Sequence, residues 1–189
     1  GPGFFEVTVP GLVVGGVDVG KVDQNLGEAV ARVLSLRDGR LTELGHPHAP
    51  VLLTDSARTA QDAADALGVE LGQIVKSIIF RRRSDDAAVL VITSGDRRVD
   101  EKKVAALVGR IGRADAEFVK ARTGFTIGGV SPVGHATPPV TLIDRELFRF
   151  DEIWAAAGHP HGVFKLCPQD LVALTGAPVA DVDQPVQPS

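Results

Sequence analysis

The chain has 189 residues, of which 44% are hydrophobic and 23% charged, the proportions of one globular domain and not of a disordered segment or an extended coiled coil. Its net charge of -4 excludes general binding of nucleic acid by a cationic surface, so any such contact must be local. No apolar run reaches the roughly 18 residues of a membrane span, and the single cysteine excludes an intramolecular disulfide, so a cytoplasmic protein is expected.

The first 24 residues predict no definite structure. Gly1-Pro2-Gly3, in a chain without methionine, is typical of the remnant that a protease leaves after removing an expression tag. The residues that follow are rich in glycine and valine without a clear period, which is compatible with a strand, an arm or sequence added by cloning. From Glu28 to Leu44 the apolar residues fall on one helical face, so an amphipathic helix is expected there, although Gly39 weakens it.

Capping residues indicate four more helices. Thr59 with Asp62 forms a capping box that opens the first, and an aspartate or a proline occupies the starting position of the other three. A glycine follows the last helical position in each case. The predicted helices lie between Thr59 and Gly68, Asp100 and Gly109, Asp115 and Gly124, and Pro168 and Gly176.

Runs of β-branched and apolar residues indicate strands. Residues 74–81 and 88–93 flank the turn at Ser84-Asp85-Asp86 and are expected to pair as a hairpin. Residues 153–157 are compatible with a strand or a helix, since their first two side chains favour a strand and three alanines favour a helix. Hairpins mixed with irregularly placed helices predict the α+β class, and the tail after Asp181, rich in Pro and Gln, is expected to be loose. The other predicted strands are Val51 to Leu53, Val140 to Ile143 and Val163 to Leu166.

Lys76 is a charged residue inside an apolar strand. Strand alternation places its side chain on the same face as those of Ile78 and Phe80. By composition alone the favoured interpretation is an edge-strand lysine whose stem covers apolar surface while its ammonium reaches water. The alternative is a lysine directed into a pocket, where it would stabilise a carbonyl, an oxyanion or a phosphate.

Residues 123–135 form a turn-rich segment with four glycines and one proline. A loop of this composition can direct backbone N–H groups at a ligand, because glycine accepts positive φ and permits close approach. An ordinary connection between two elements is an equally good explanation. The segment contains neither Gly-x-Gly-x-x-Gly nor Gly-Lys-Ser/Thr, which argues against a nucleoside triphosphate.

Other arrangements give weaker signals. Ser131 and His135 suggest a nucleophile with its base, but there is no Gly-x-Ser-x-Gly elbow and no partner acid can be assigned. His46-Pro47-His48 and His159-Pro160-His161 would supply four imidazoles to zinc if they met in space, although histidines in proline-bounded turns are the simpler explanation. No metal site is therefore predicted. Cys167 is most simply a small hydrophobic residue.

A few basic residues are candidates for contact with phosphates. For each of them taken alone, a solvated charged face is the favoured explanation. The candidates are Arg81-Arg82-Arg83, Arg97-Arg98 and the scattered Arg110, Arg113, Lys120 and Arg122.

Read in order, several segments strongly resemble the YbaK/EbsC family, the editing domains related to the insertion domain of bacterial prolyl-tRNA synthetase. The ordered set is much more specific than any single motif, and it covers roughly residues 28–182. The segments are Val75 to Phe80, Thr93 to Asp100 with Lys103-Val104, Thr123-Gly124-Phe125, Gly128 to His135, Asp144, Ala156 to His161, Asp170-Leu171 and Leu174 to Ala177.

The resemblance implies an α+β fold with a mixed sheet flanked by helices, and a trans-acting aminoacyl-tRNA deacylase. Such an enzyme hydrolyses the ester of a misacylated tRNA, here Cys-tRNA(Pro), Ala-tRNA(Pro) or another small aminoacyl-tRNA. The family is not known to need a metal or another cofactor, and it is thought to use the free ribose hydroxyl of the substrate with water, or the thiol of a cysteinyl substrate. The implied partners are misacylated tRNA and an aminoacyl-tRNA synthetase, with no membrane.

The resemblance also assigns site residues. Lys76 matches the pocket lysine that the family needs for activity, and it would contact the carbonyl or the terminal phosphate. The residues that match the substrate-binding loop are Gly128, Gly129, Val130, Ser131, Pro132, Gly134 and His135. Cysteinyl-tRNA deacylases of this family have an acidic residue near Val163-Phe164-Lys165, where this chain has none, so an alanyl or another small aminoacyl group is comparably expected.

The expected organisation is an N-terminal extension over residues 1–24, partly derived from a tag, an editing domain over residues 25–182 and a flexible tail over residues 183–189. The alternative function is a non-catalytic module that binds an aminoacyl-tRNA or a nucleotide-like end, with Lys76 as a phosphate contact.

Overall fold

A computed structural model of the chain describes residues 6–8, 13–14, 17–18, 21–23, 32–37, 40–45, 51–53, 59–132, 135–159 and 162–185. Before residue 59 the described residues include the strands β1 (Glu6–Thr8), β2 (Val13–Val14), β3 (Val17–Asp18), β4 (Lys21–Asp23), β5 (Arg32–Arg37), β6 (Arg40–Gly45) and β7 (Val51–Leu52). From residue 59 the helices are α1 (Ala60–Leu67), α2 (Glu101–Val108), α3 (Ala116–Thr123) and α4 (Pro168–Thr175), with 3-10 helices at Leu71–Gln73 and Arg145–Arg149. The strands there are β8 (Val75–Arg82), β9 (Ala88–Ser94), β10 (Ile111–Arg113), β11 (Val140–Asp144), β12 (Ile153–His159), β13 (Gly162–Leu166) and β14 (Val179–Ala180).

A five-stranded sheet with the order β10-β8-β9-β11-β14 forms the centre of the fold. β8 pairs antiparallel with both β9 and β10, whereas β11 runs parallel to β9 and to β14. The sheet is therefore mixed, and helices flank it, which confirms the predicted α+β class. The predicted hairpin of residues 74–81 and 88–93 is confirmed as β8 and β9.

The central strand β9 is buried along its whole length, as its nearly continuous apolar sequence requires. Alternation sends its side chains into two separate hydrophobic clusters. Val89 and Val91 pack with Val104 of α2 on one face of the sheet. Leu90 and Ile92 pack on the other face, where α3, α4 and the residues after α3 contribute to the larger cluster. The two faces of β8 follow the same division.

A second sheet has the order β12-β13-β7, with antiparallel pairing throughout. The ambiguous residues 153–157 thus belong to a strand. Ile153 and Ala155 are fully buried, so packing against β13 outweighs the helix preference of the alanines.

The predicted helix over residues 28–44 is wrong for the described part of that range. Residues 32–37 and 40–45 form β5 and β6, which pair antiparallel with Arg37 opposite Arg40. The dipeptide between them, Asp38-Gly39, is a strong signal for a two-residue hairpin turn, and Gly39 disfavours a helix interior. The helical alignment of the apolar residues was therefore the weaker of two competing patterns.

The four predicted helices after residue 58 are confirmed, each eight residues long. Thr59 and Asp62 form the reciprocal capping box, and glycines in the left-handed region end α1, α3 and α4. None of the helices within the described ranges has the length and hydrophobicity that a membrane span requires.

The C-terminal segment is more ordered than its composition suggested. Val182 is fully buried, Asp183 forms a bridge with Val99, and the backbone N–H of Gln184 donates to the carbonyl of Arg98. The expectation of a loose tail after Asp181 is therefore wrong for residues 182–184, because a buried valine and two backbone contacts anchor them.

Candidate functional site

Lys76 lies near the start of β8, opposite Thr93 of β9. Its half-buried side chain leaves the sheet on the face that α2 covers, together with those of Ile78 and Phe80, as alternation predicted. Its Nζ donates a hydrogen bond to the backbone carbonyl of Arg97. Burial of the ammonium lowers the pKa of Lys76. Lys76 is thus a cation fixed in surroundings that solvate it less than water does.

Gly95 begins the turn that carries the carbonyl bonded to Lys76. A Cβ atom on Gly95 would lie 2.5 Å from the carbonyl oxygen of Leu71 and 2.9 Å from that of Ile74. Both neighbours are backbone atoms of another segment and cannot rotate away, so only glycine fits at this position. The close approach therefore fixes the turn, and with it the Lys76 ammonium.

The glycine-rich loop folds into tight turns after α3. Gly128 adopts a φ of 90°, a conformation that favours glycine, and the N–H of Gly129 donates to the carbonyl of Thr126 over 2.9 Å. Ile127 and Gly128 are exposed, whereas residues 129–132 are buried. The loop thus presents its first turn to solvent and uses its second half as an anchor.

His135, the last residue of the loop, contacts other residues of the same loop. Its Nε2 lies 2.7 Å from the carbonyl oxygen of Ser131, and its ring packs edge-on against Phe125 at 5.2 Å between centroids. This contact with the backbone of Ser131 gives His135 a structural role that does not require the Ser131 side chain to act as a nucleophile. Gly134, also predicted to belong to the site, lies outside the described residues.

An open cleft of about 530 Å³ lies between this loop and β8. Its walls include Ser77 and Ile79 on the strand and Gly128 and Val130 on the loop. Among the described residues, no strand pairs with the outer edge of β8 between Ile74, which bridges to β12, and Phe80, which pairs with β10. The cleft occupies this unpaired stretch.

The structure brings two of the predicted loop residues, Gly128 and Val130, against the strand that carries Lys76. Val130 packs on the face of the sheet opposite to the Lys76 side chain. The cleft nevertheless extends around the strand edge, since Ile78 on the lysine face also lines it. Lys76 itself does not line the cleft, but it directly precedes the lining residue Ser77 in β8.

Ser77 is a cleft residue that the sequence did not single out. Its Oγ is buried and has no hydrogen-bond partner in the described part of the chain. A serine beside a lysine in a strand gives no distinct sequence signal, so only the fold reveals its place.

A cluster of polar side chains lies on the same face of the sheet as Lys76, beginning at Thr93, its partner in β9. The hydroxyl of Thr93 donates to Asp144, whose carboxylate oxygens lie within 4.8 Å of those of Asp181 and Asp183. Lys103 Nζ donates to Asp181 over 3.0 Å and to the carbonyl of Asp183 over 2.9 Å. A cation thus compensates part of this negative charge directly.

Burial raises the pKa of Asp144 to about 6, and the charge of Asp183 adds to this effect. The folded protein therefore binds a proton at Asp144 more tightly than the unfolded chain does, since the ordinary aspartate pKa is 3.8. The contribution of this proton to the free energy of unfolding is complete below about pH 4 and is lost as the pH rises through 6.

We expect Asp144→Asn, which like the protonated form carries no charge, to become more stable relative to wild type as the pH rises from 4 to 7. The change in the difference should be on the order of 2 kcal/mol. Urea unfolding of both proteins at several pH values measures it. A constant difference across this range would contradict the raised pKa.

The remaining sequence candidates are placed only in part. His46-Pro47-His48 lies outside the described residues, as do Pro160 and His161, while His159 ends β12. Cys167 is partly exposed, precedes α4, and its backbone N–H donates to Asp170 over 3.0 Å. The zinc interpretation is thus untested by the described part of the chain.

Comparison with known proteins gives one family match. Residues 54–174 match the family model described as "Aminoacyl-tRNA editing domain". The chain is 35% identical over 117 residues to the uncharacterized protein YwhH of Bacillus subtilis, a match that covers 61% of this chain and 74% of YwhH. It is 28% identical over 126 residues to the "Putative Cys-tRNA(Pro)/Cys-tRNA(Cys) deacylase EbsC" of Enterococcus faecalis, covering 66% and 76% of the two chains. A proline–tRNA ligase of Thermosipho africanus is 35% identical over 83 residues, 43% of this chain and 14% of the ligase.

Solved structures agree with these matches. A crystal structure of a "putative trans-editing enzyme for prolyl tRNA synthetase" is 46% identical, covers 72% of this chain and 87% of its own, and superposes with a TM-score of 0.69. The crystal structure of a hypothetical protein, APE2540, is 31% identical, covers 71% and 90%, and gives a TM-score of 0.66.

Proposed function

Because the chain belongs to the aminoacyl-tRNA editing domain family, we propose that it is a trans-acting hydrolase of misacylated tRNA. The resemblance to the YbaK/EbsC family is confirmed by the family match and by the related deacylase and trans-editing proteins. The observation that carries the proposal is the cleft between Gly128 and β8, whose lining residue Ser77 directly follows Lys76 in the strand. We further propose that residues 25–182 form the editing domain and that it acts in the cytoplasm, where tRNA is charged.

The proposed reaction adds water to the acyl carbon and breaks its bond to the ribose oxygen, which leaves with a proton as a free hydroxyl. The ester is already reactive, so the protein mainly has to orient it and stabilise the charge that develops on the carbonyl oxygen. An ammonium has three donors, of which Lys76 uses one for Arg97. The remaining donors, together with N–H groups at the exposed turn of Gly128, would face the developing oxyanion. Contact of Lys76 with the terminal phosphate is the other orientation consistent with this placement.

The proposed acyl substrate is small. The cleft walls include the apolar Ile79, Val119 and Val130, which suit a weakly polar acyl group such as cysteinyl or alanyl on a tRNA(Pro). One methylene changes binding in such a cleft by only about 1 to 3 kcal/mol, and overlapping substrates are therefore expected. The stretch in which cysteinyl-specific relatives carry an acid contains buried Val163 and Phe164 here. Alanyl therefore remains a candidate equal to cysteinyl.

We expect purified protein to deacylate at least one small aminoacyl-tRNA at least 100-fold faster than buffer, with larger acyl groups hydrolysed more slowly. A panel of tRNAs charged with alanine, cysteine, serine and proline measures this by the loss of labelled amino acid. Pretreatment with EDTA should leave the rate unchanged, since the proposed chemistry uses no metal.

If no member of the panel is hydrolysed, the proposed hydrolase activity is refuted. Binding of the charged tRNA without turnover would instead support the non-catalytic module with Lys76 as a phosphate contact. A synthetase partner is proposed only for selection of the tRNA, and its addition to the assay tests that requirement.

A further inference from the structure

We propose that four arginines around the edge strand β10 bind the sugar-phosphate backbone of the tRNA. This inference rests on the proposed function for the identity of the RNA. The four residues, called the arginine edge below, are Arg83, Arg110, Arg113 and Arg122.

The fold gathers these residues from three separate segments. The backbone N–H of Arg83 donates to the carbonyl of Arg110 over 2.9 Å, and its side chain reaches the carbonyl of Ile111. Arg122 of α3 lies with its guanidinium 5.4 Å from the ring centroid of Phe118. Phe118 also contacts Arg81 at 5.5 Å, and Arg81 pairs with Gly112 of β10, so Arg122 lies beside the same edge of the sheet. Contacts between distant segments thus bring the four arginines around one sheet edge.

The charges of the arginine edge are not held in ion pairs within the described residues, although Asp86, paired with Arg81, also interacts with the charge of Arg122 at longer range. Within the described part of the chain, none of its four members has a carboxylate within 4.0 Å, whereas Arg81 and Arg82 are paired with Asp86 and Asp85 at 2.7 and 2.8 Å. The whole chain has a net charge of -4, so this surface is a local exception. Such an exception is the kind of local contact that an acidic protein needs to bind a polyanion.

Arg97, another candidate from the sequence, does not belong to this surface. Its side chain is 16% exposed and lies 3.6 to 3.7 Å from the carboxylates of Asp96, Glu146 and Asp183. Its charge is therefore compensated inside the protein and is not offered to a ligand. The structure thus separates arginines that organise the fold from arginines that remain available.

The position of the arginine edge gives the RNA a direction. Arg113 lines the cleft and pairs with Phe80 of β8. A strand rises about 3.3 Å per residue, so the backbone of Arg110 lies about 10 Å farther from the cleft. An aminoacyl ester seated in the cleft would therefore continue into a strand of phosphates that crosses β10.

The test measures binding of unfractionated uncharged bacterial tRNA by fluorescence anisotropy at several salt concentrations. We expect the Kd at about 0.1 M salt to rise about tenfold in the double variant Arg110→Gln with Arg113→Gln, and the slope of log K against log salt to fall by about 1.5. The matched control is Lys102→Gln with Arg145→Gln, which removes two exposed charges outside the arginine edge and the cleft and should change the Kd less than twofold.

Equal losses in the two double variants, or binding by wild type that does not depend on salt, would overturn the inference. Its failure is distinguishable from that of the proposed function, because binding of uncharged tRNA requires no turnover. If wild type hydrolyses charged tRNA and both double variants bind tRNA as tightly as wild type, the proposed hydrolase activity stands and the proposed role of the arginine edge is refuted. If only the arginine variant loses salt-sensitive binding and wild type shows no turnover, the role of the arginine edge stands and the proposed hydrolase activity is refuted.

Discussion

Lys76→Ala is expected to lower the deacylation rate about 100- to 1000-fold at saturating substrate while leaving the protein folded. The reason is electrostatic: removal of one donor that stabilises a developing oxyanion costs factors of this size. The half-buried ammonium is solvated less well than in water, which strengthens its effect on a nearby charge. Single-turnover hydrolysis of the best aminoacyl-tRNA of the panel measures the loss.

The matched control is Lys102→Ala, which removes an exposed lysine from α2 and should retain the wild-type rate. The circular dichroism spectrum and urea midpoint of Lys76→Ala should match those of wild type within error. Lys76→Arg should recover little activity, since the longer planar guanidinium cannot occupy the same hydrogen bond to Arg97 with the same geometry. Wild-type turnover by Lys76→Ala would refute the catalytic role.

Gly95→Ala is expected to destabilise the fold by about 3 kcal/mol and to reduce activity in the molecules that remain folded. The added Cβ would lie 2.5 Å from the carbonyl of Leu71 and 2.9 Å from that of Ile74, so backbone segments must move apart. That movement would displace the turn whose carbonyl orients Lys76. Urea unfolding measures the stability, and turnover well below the unfolding midpoint measures the activity.

Gly68→Ala separates steric crowding from glycine's conformational freedom. Gly68 has a φ of 70° and nothing lies within 4 Å of an added Cβ, so its replacement should cost only about 1 kcal/mol and leave turnover unchanged. Similar stability losses at the two glycines would show that the close approach at Gly95 has little energetic weight.

Local signals predicted most of the fold after residue 58. The capping box at Thr59 and the capping aspartates succeed because both partners lie within three residues of each other. The helix predicted over residues 28–44 was wrong for residues 32–37 and 40–44, because helical spacing was given more weight than the Asp38-Gly39 turn signal. Strands β10 and β14 are three and two residues long, too short for any periodic pattern to indicate them.

The site was predictable only in its two sequence-visible parts. Lys76 is conspicuous as a charge in an apolar strand, and the loop is conspicuous by its glycines. The turn that holds the lysine was not visible, because it depends on contact between residues 21 positions apart. The same applies to the arginine edge, which no run of sequence contains. Packing between distant segments decides which charged residues are internally paired and which are left for a ligand.

The anchored C-terminal segment means that the matched region and the folding unit are different lengths of chain. The family match ends at residue 174, yet β14 completes the central sheet and Val182 fills a cluster beneath α2. A protein shortened to the matched residues would expose the outer edge of β11 and remove the acids around Asp144. Any minimal domain prepared from this chain should therefore retain the residues up to 185.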